Sequence, residues 1–251
     1  MRQSTRSLVM PLAFVALLMG AWSLGTADPQ GSEITPEHVA GPIHMLTGNG
    51  GNLGVSVGPD GVLLIDDQFA DMAKKIQGAI DQLAQDAGLD GGSARFLINT
   101  HHHGDHTGGN EIFGVQSTIV AHENVREQLL NRERGGAMPA VGLPVVTYSD
   151  GLSLHFNGEE IRLVHLPEGH TNGDTVVFFT GSNVVHTGDL CFNGMFPFID
   201  LDGGGSVLGY IKNVDEILTQ TDAKTRFIPG HGKLASREDL QTLSTTLSTI
   251  V

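Results

Sequence analysis

The stretch NTHHHGDHTGGN, residues 99–110, constrains the fold more than any other part of the chain. It places four histidines and one aspartate within six residues, in a chain that has 12 histidines in all. Imidazole and carboxylate groups are the usual protein ligands of zinc and related divalent metals. A short apolar segment, ARFLINT, runs into the cluster and glycines follow it. We therefore predict a metal site on a tight, partly extended turn at the end of a strand.

Three later segments place metal-capable side chains in turns of the same kind. His170 stands in PEGHTNGD, Asp189 ends the predicted strand NVVHTGD, and His231 ends the predicted strand TRFIPGHG. Each follows an apolar run and is flanked by glycine. Because the strand ends at one edge of a sandwich can meet in space, we predict that these three side chains join the first cluster.

The remaining hydrophobic pattern predicts an α/β sandwich with its helices on the outside. Apolar residues recur every three or four positions over residues 70–88, which is typical of a helix. Ser206 and Ser236 are predicted to cap two further helices at their amino ends. Paired strands are predicted within residues 51–69, 152–167 and 174–189.

Composition excludes several classes of protein. The chain has 251 residues, of which 39% are hydrophobic and 17% charged, so it is long and apolar enough for a folded domain. A formal net charge of −14 disfavours nucleic acid and anionic membranes as partners. Cys191 is the single cysteine, so no intramolecular disulfide can form.

The amino-terminal segment has the pattern of a bacterial signal peptide. Two arginines precede an apolar run over residues 8–24, and small residues follow as far as Ala27. The run is 17 residues long and contains a proline, whereas a membrane span needs about 20. We expect residues 1–27 to be removed, leaving residues 28–251 as one domain without a membrane anchor that is periplasmic or secreted.

Taken together, these segments resemble the metallo-β-lactamase superfamily. The matching features are the H-x-H-x-D-H pattern at residues 101–106, His170, Asp189, His231 and the segment LLIDD, in which Asp66 matches the aspartate that ends the family's early strand. They occur in the family's order over about residues 40–235. The resemblance implies an α/β fold of the four-layer αββα sandwich type.

The resemblance also implies a pair of divalent metal ions. One ion would be held by His101, His103 and His170. The other would be held by Asp105, His106 and His231, and Asp189 would bridge the two. Asp66 would accept a hydrogen bond from a ligand imidazole and fix its ring. Histidine-rich ligands favour zinc, with iron and manganese as alternatives.

A metal-dependent hydrolase mechanism follows from this implied site. Two cations about 3.5–4 Å apart lower the pKa of a shared water, and the bridging hydroxide attacks a carbonyl or phosphoryl centre. Asp105 is expected to orient the hydroxide and to pass its proton to the leaving group. Met195, Phe196 and Phe198 are expected to line the pocket of a small-molecule substrate, with plain core packing as the alternative.

The sequence leaves the substrate open. The first hypothesis is an ester, lactone, thioester or amide, and the alternative is a β-lactam antibiotic hydrolysed in the periplasm. Asp189 departs from the β-lactamase subclass with cysteine there, and Phe192 stands where that subclass typically carries lysine. Asp189 is more similar to the glyoxalase II branch, but 20 residues after His231 leave little room for its glutathione-binding helices. A second alternative is a non-catalytic metal-binding protein.

Other polar residues are predicted to do less. His102 lies between two ligands, so its side chain is expected to point away from them into solvent, with a supporting contact as the alternative. His186 is predicted to be a core or rim histidine, and Cys191 a small buried hydrophobe. Asp67 and Asp174 are predicted to be turn or capping residues.

Overall fold

A computed structural model describes residues 33–132 and 136–251, which form one compact unit. Residues 1–27, the predicted signal peptide, lie outside this described part. The described residues form the strands β1 Thr35–Ala40, β2 Ile43–Thr47, β3 Leu53–Gly58, β4 Gly61–Ile65, β5 Ala94–Ile98, β6 Thr118–His122, β7 Val146–Tyr148, β8 Gly151–Phe156, β9 Glu159–His165, β10 Thr175–Phe179, β11 Val184–Phe192, β12 Arg226–His231 and β13 Ala235–Ser236. Their α-helices are α1 Ala73–Asp86, α2 Gly104–Thr107, α3 Asn110–Phe113, α4 Glu123–Leu130, α5 Val207–Thr219 and α6 Arg237–Ile250.

The described strands form two sheets. The first has the order β1-β2-β3-β4-β5-β6-β7, and the second has the order β13-β12-β11-β10-β9-β8. Strands β4, β5, β6 and β7 run parallel to one another, as do β11 and β12, while the other neighbours are antiparallel. Parallel neighbours end at the same edge of a sheet, so the segments that follow them lie side by side.

Helices cover the outer faces of both sheets. Helix α1 packs on the first sheet through Ile76 and Ile80, and helices α5 and α6 pack on the second through residues that include Tyr210, Val214 and Leu240. Between the sheets lies a core whose members include Ile65, Ile98, Leu163, Val177 and Ile228. This order of layers confirms the predicted four-layer αββα sandwich.

Local signals explain where the outer helices begin. The Ser206 side chain accepts a hydrogen bond from the Gly209 N–H at 2.9 Å, as the predicted cap of α5. Ser236 and Asp239 form a reciprocal capping box at the start of α6. Within residues 33–132 and 136–251, no helix is long and apolar enough to cross a membrane.

Two features of the backbone differ from the sequence predictions. Strands β1 and β2 were not predicted, because the proline and glycine within this segment interrupt its apolar pattern. The histidine-rich turn is extended at His103 but becomes helical from Gly104 onward. The His106 and Thr107 N–H groups both donate to the His103 carbonyl, at 3.1 and 3.0 Å. The predicted extended turn is therefore wrong for Asp105, which lies in helix α2.

Candidate metal centre

The metal-capable side chains of the sequence analysis meet near the carboxyl ends of strands β5, β11 and β12. Four distant segments supply them: the turn after β5 with helix α2, the loop between β9 and β10, strand β11 itself and the end of β12. They fall into two sets, in each of which all the candidate ligand atoms lie within 4.8 Å of one another. The first set is His101, His103, His170 and Asp189. The second set is Asp105, His106 and His231.

The Asp189 carboxylate lies between the two sets. Its Oδ1 atom is 3.1 Å from His106 Nε2, while its Oδ2 atom is 3.3 Å from His170 Nε2 and 3.4 Å from His231 Nε2. The side chain is only 4% exposed. One buried carboxylate therefore contacts imidazoles of both sets, as a ligand shared by two cations must.

The carboxylates of Asp66 and Asp200 contact the outward-facing nitrogens of two imidazoles, one from each set. His106 Nδ1 lies 2.7 Å from Asp66 Oδ2, and His103 Nε2 lies 2.8 Å from Asp200 Oδ2. Because a carboxylate can only accept, each ring donates its N–H outward and, when neutral, turns a lone pair toward the centre. The Asp66 contact is the kind that the resemblance implied. Sequence reasoning missed Asp200, since nothing near it in the chain indicates a partner 97 residues away.

The imidazoles of His101 and His170 turn lone pairs toward the same point. His170 Nδ1 donates to the Phe198 carbonyl at 2.8 Å. The Thr100 hydroxyl donates its hydrogen to the Asp66 carboxylate at 2.7 Å. In the 3.1 Å contact between this hydroxyl and His101 Nδ1, the imidazole is therefore the donor. The Nε2 atoms of these two rings lie 3.1 and 2.9 Å from His103 Nδ1. Three facing lone pairs fit a shared cation rather than a hydrogen-bond network.

Where the two sets meet, two buried atoms lack a partner that a cation would supply. His106 Nε2 and Asp189 Oδ1 lie 3.1 Å apart, but neither has a hydrogen-bond partner. Such orphaned buried atoms are costly unless an ion or water completes them. His231 Nε2 lies 3.3 Å from Asp105 Oδ2. Imidazole nitrogens with carboxylate oxygens are a zinc-type donor set, so the chemistry of both sets fits divalent metal.

Burial and charge act in opposite ways on the first set. Burial lowers the pKa of His101 well below its ordinary value and lowers that of His170 to about 4. Burial alone would raise the pKa of Asp189, but the neighbouring His106 and His101 outweigh it and hold that pKa well below its usual range. His101 and His170 are therefore neutral and Asp189 is ionised at neutral pH, which are the forms that bind metal.

Carboxylates dominate the electrostatics of the second set. Burial would lower the pKa of His106, but the charges of Asp189 and Asp66 raise it well above its ordinary value. Burial would also lower the pKa of His231, but hydrogen bonds to Asp105 and Asp189 raise it to about 9. Without metal, this set therefore holds protons that a cation must displace.

Glycines let the backbone approach the ligands closely. A Cβ atom added at Gly51 would clash with the His106 ring, and one added at Gly230 would clash with the Asp189 carboxylate. The Gly51 N–H donates to the Asp105 carbonyl at 3.1 Å, which fixes the loop between β2 and β3 against the second set. This wall of the site has room for glycine and for no larger residue.

A buried carboxylate supports the loop that carries His170. Asp174 accepts hydrogen bonds from the His170 N–H at 2.6 Å and from the Thr171 N–H at 2.9 Å. Burial raises its pKa to about 7. Asp174 therefore acts as the turn residue that the sequence predicted, although it is fully enclosed.

His102 and His186 lie outside the two sets. The His102 side chain is only 13% exposed, its Nε2 lies 3.7 Å from Asp200 Oδ2, and burial lowers its pKa to about 3. The expectation that this ring points into solvent is therefore wrong, because it packs behind the first set. His186 is fully buried and accepts a hydrogen bond from the Gly188 N–H at 3.2 Å, as a core histidine.

Aromatic rings flank the candidate ligand imidazoles on two sides. The Phe198 ring lies with its centroid 5.9 Å from that of His170 and 6.1 Å from that of His103. Phe192 stacks on His231 at a centroid distance of 4.9 Å and an interplanar angle of 17°. Phe198 was among the expected pocket residues, whereas sequence reasoning missed Phe192 in this role.

Met195 and Phe196, the other expected pocket residues, lie farther along the same segment. They are 51% and 71% exposed, so the alternative of plain core packing is wrong for both. They line a cleft against helix α6 that also includes Phe192. Cys191, on the same segment, is buried as expected.

Comparison with known proteins adds a family and a fold. A family model described as the metallo-beta-lactamase superfamily matches residues 46–231. A hydroxyacylglutathione hydrolase of Gloeobacter violaceus is 33% identical over 98 residues, which cover 39% of this chain and 35% of that protein. A type 2 metallo-beta-lactamase of Bacteroides fragilis is 25% identical over 145 residues, which cover 57% of this chain and 55% of that protein. The chain thus spans from about a third to about half the length of these relatives.

Solved structures show the same architecture. The DIM-1 metallo-beta-lactamase superposes with a TM-score of 0.72 at 17% identity, covering 88% of this chain and 100% of that one. A metallo-beta-lactamase from Pontibacter korlensis superposes with a TM-score of 0.73 at 14% identity, covering 86% of this chain and 99% of that one. At such low identity these similarities show the fold alone.

Proposed function

This chain belongs to the metallo-beta-lactamase superfamily, and from that premise we propose that it is a hydrolase dependent on two divalent metal ions, for which its ligands favour zinc. The position of the Asp189 carboxylate between two imidazole sets carries the proposal. The first ion would be held by His101, His103 and His170. The second would be held by Asp105, His106 and His231, with Asp189 shared between them.

Two cations in these positions would lower the pKa of a water molecule and polarise the reacting oxygen of the substrate. Asp105 is the carboxylate of the site that can also reach substrate, because its side chain is 27% exposed. The hydrogen bond to His231 keeps its pKa below the ordinary value, although burial acts in the opposite direction. In our proposal Asp105 orients the attacking water and passes its proton to the leaving group.

The proposed substrate class is a carbonyl compound: an ester, lactone, thioester or amide. The names of the relatives, hydroxyacylglutathione hydrolase and metallo-beta-lactamase, support a hydrolytic activity. Nucleophilic catalysis by Cys191 is disfavoured, because burial raises the pKa of its thiol to about 12 and the side chain is inaccessible. Activated water is therefore the nucleophile that the site favours.

Hydrolysis assays with a matched variant test the proposal. The purified, zinc-loaded protein should hydrolyse at least one member of a panel of acyl esters, thioesters, lactones and nitrocefin. A chelator should abolish that activity and zinc should restore it, while Asp189→Asn should remain inactive under both conditions. Turnover of nitrocefin alone would identify a β-lactamase. Bound metal without turnover of any substrate would contradict the proposal and favour a non-catalytic metal-binding protein.

We also propose that the protein is exported to a bacterial periplasm or secreted. The support is the sequence pattern that ends near Ala27. Mass spectrometry of the protein recovered outside the cytoplasm should then give a chain that starts near Asp28. Recovery of the intact chain from the cytoplasm alone would contradict export.

A further inference from the structure

We propose that a cleft beside the metal centre binds an uncharged, apolar acyl or aryl group of the substrate. The inference rests on the proposed function and narrows its substrate class. The cleft lies between residues 191–196, which follow the shared Asp189, and helix α6. Its volume of about 340 Å³ falls within the range of small-molecule sites.

Phe192 connects the cleft to the metal centre. The Phe192 side chain lines the cleft and also stacks on His231, with ring centroids 4.9 Å apart. The backbone is fixed at the same place, because the Asn193 N–H donates to the His231 carbonyl at 2.9 Å. When the carbonyl of a substrate is at the metal centre, only the Phe192 ring therefore separates His231 from the apolar surface of the cleft.

The lining of the cleft is largely apolar and faces water. Met195 and Phe196 form one wall and are largely exposed, while Leu243 and Leu247 belong to the opposite wall on α6. Large exposed apolar side chains that cluster around a concave surface are typical of a ligand-binding groove. An apolar ligand would remove this surface from water, which is favourable.

The charge of the cleft lining disfavours an anionic occupant. Its charged lining residue is Asp239, whose carboxylate accepts hydrogen bonds from the Ser236 N–H and hydroxyl at 2.8 and 2.7 Å. The Thr242 and Thr246 hydroxyls and the buried Cys191 thiol add no charge. Among the described lining residues there is no lysine or arginine, so a carboxylate such as that of a β-lactam or of glutathione would meet repulsion here.

A chain-length series tests the cleft. For the zinc-loaded protein, kcat/KM should rise from p-nitrophenyl acetate through butyrate and hexanoate to octanoate, by up to about fourfold for each added methylene. Thr246→Phe fills the cleft and should flatten this series. Thr245→Phe adds the same ring at the neighbouring position, which is not part of the cleft lining, and should retain the chain-length dependence of the wild type.

Three outcomes separate this inference from the proposed function. Hydrolysis of acetate with no dependence on chain length, or equal losses in both variants, would overturn the cleft and leave the hydrolase intact. If no ester is hydrolysed, the proposed function fails, and binding of 1-octanol then tests the cleft by itself. Octanol should shift the 13C-methyl resonance of Met195 saturably in wild type and in Thr245→Phe but not in Thr246→Phe. An unshifted resonance in wild type would overturn the inference.

Discussion

At the scale of single residues, Asp189 is the side chain on which the proposed site depends, because its carboxylate contacts imidazoles of both sets. Asp189→Asn keeps the shape of the side chain but removes the negative charge that would offset the two cations. We expect zinc content to fall by at least one ion per chain. We expect kcat/KM to fall by more than the roughly 10- to 100-fold that loss of an outer-shell partner costs. Asp202→Asn removes an exposed carboxylate nearby and should change neither. Two bound ions and full activity in Asp189→Asn would reject the shared ligand.

The protonation of single imidazoles predicts that the two sets respond differently to pH. Burial keeps the pKa of His170 at about 4, so protons do not compete for that ring near neutral pH. His231 has a pKa of about 9, raised by its carboxylate partners against the effect of burial. It loses its proton only as pH rises through that value. Below pH 9, displacement of that proton alone should make the zinc affinity of the second set rise about tenfold per pH unit, and the raised pKa of His106 should make the rise steeper. The zinc affinity of the first set should rise less steeply, because burial leaves no proton on His101 or His170 to displace.

Competitive zinc titrations at several pH values between about 6 and 8 measure this difference. His155→Gln, which replaces an exposed histidine outside both sets, is the control and should follow the wild-type curves. Equal pH slopes for the tighter and the weaker ion would contradict the assignment of the protonated ring to the second set.

At the scale of elements, the loop between β2 and β3 sets how closely the backbone approaches the second set. Gly51→Ala places a methyl group against the His106 ring and should displace it. We expect lower zinc occupancy of the second set and a loss of activity. Gly78→Ala is the matched control in α1, where an added Cβ meets nothing. It should leave zinc binding unchanged and stabilise the protein by about 0.5–1 kcal/mol. Elemental analysis and thermal unfolding of both variants would decide, and normal zinc content in Gly51→Ala would contradict the close approach.

Some of the elements could be predicted from the sequence and others could not. The helices capped by Ser206 and Ser236 were predictable, because local periodicity and caps specify them. His170, Asp189 and His231 do come together, but the prediction that a strand ends at Asp189 was wrong, because β11 continues to Phe192. The helical turn at Asp105 was not predictable, since its hydrogen bonds to the His103 carbonyl leave no mark on the residue pattern. The support of His103 by a distant carboxylate was missed for a similar reason, because long-range contacts do not follow from spacing.

At the scale of the whole molecule, the metal centre joins the two sheets. His101 and His103 follow a strand of the first sheet, whereas Asp189 and His231 belong to the second. Ions bound across this junction stabilise the native state and not the unfolded chain. At a metal concentration about 1,000 times Kd the gain is about 4 kcal/mol. For a domain of this size, chelation should therefore lower Tm by roughly 8–16 °C, as calorimetry would measure. An unchanged Tm would contradict a metal centre that spans the sheets.

The central claim is that side chains from four distant segments hold two cations around one shared carboxylate. Anomalous diffraction at the zinc edge, from crystals of the zinc-loaded protein, tests it most directly. The account predicts two peaks about 3.5–4 Å apart on either side of Asp189, one against His101, His103 and His170 and the other against Asp105, His106 and His231. A single peak, or peaks away from Asp189, would contradict it.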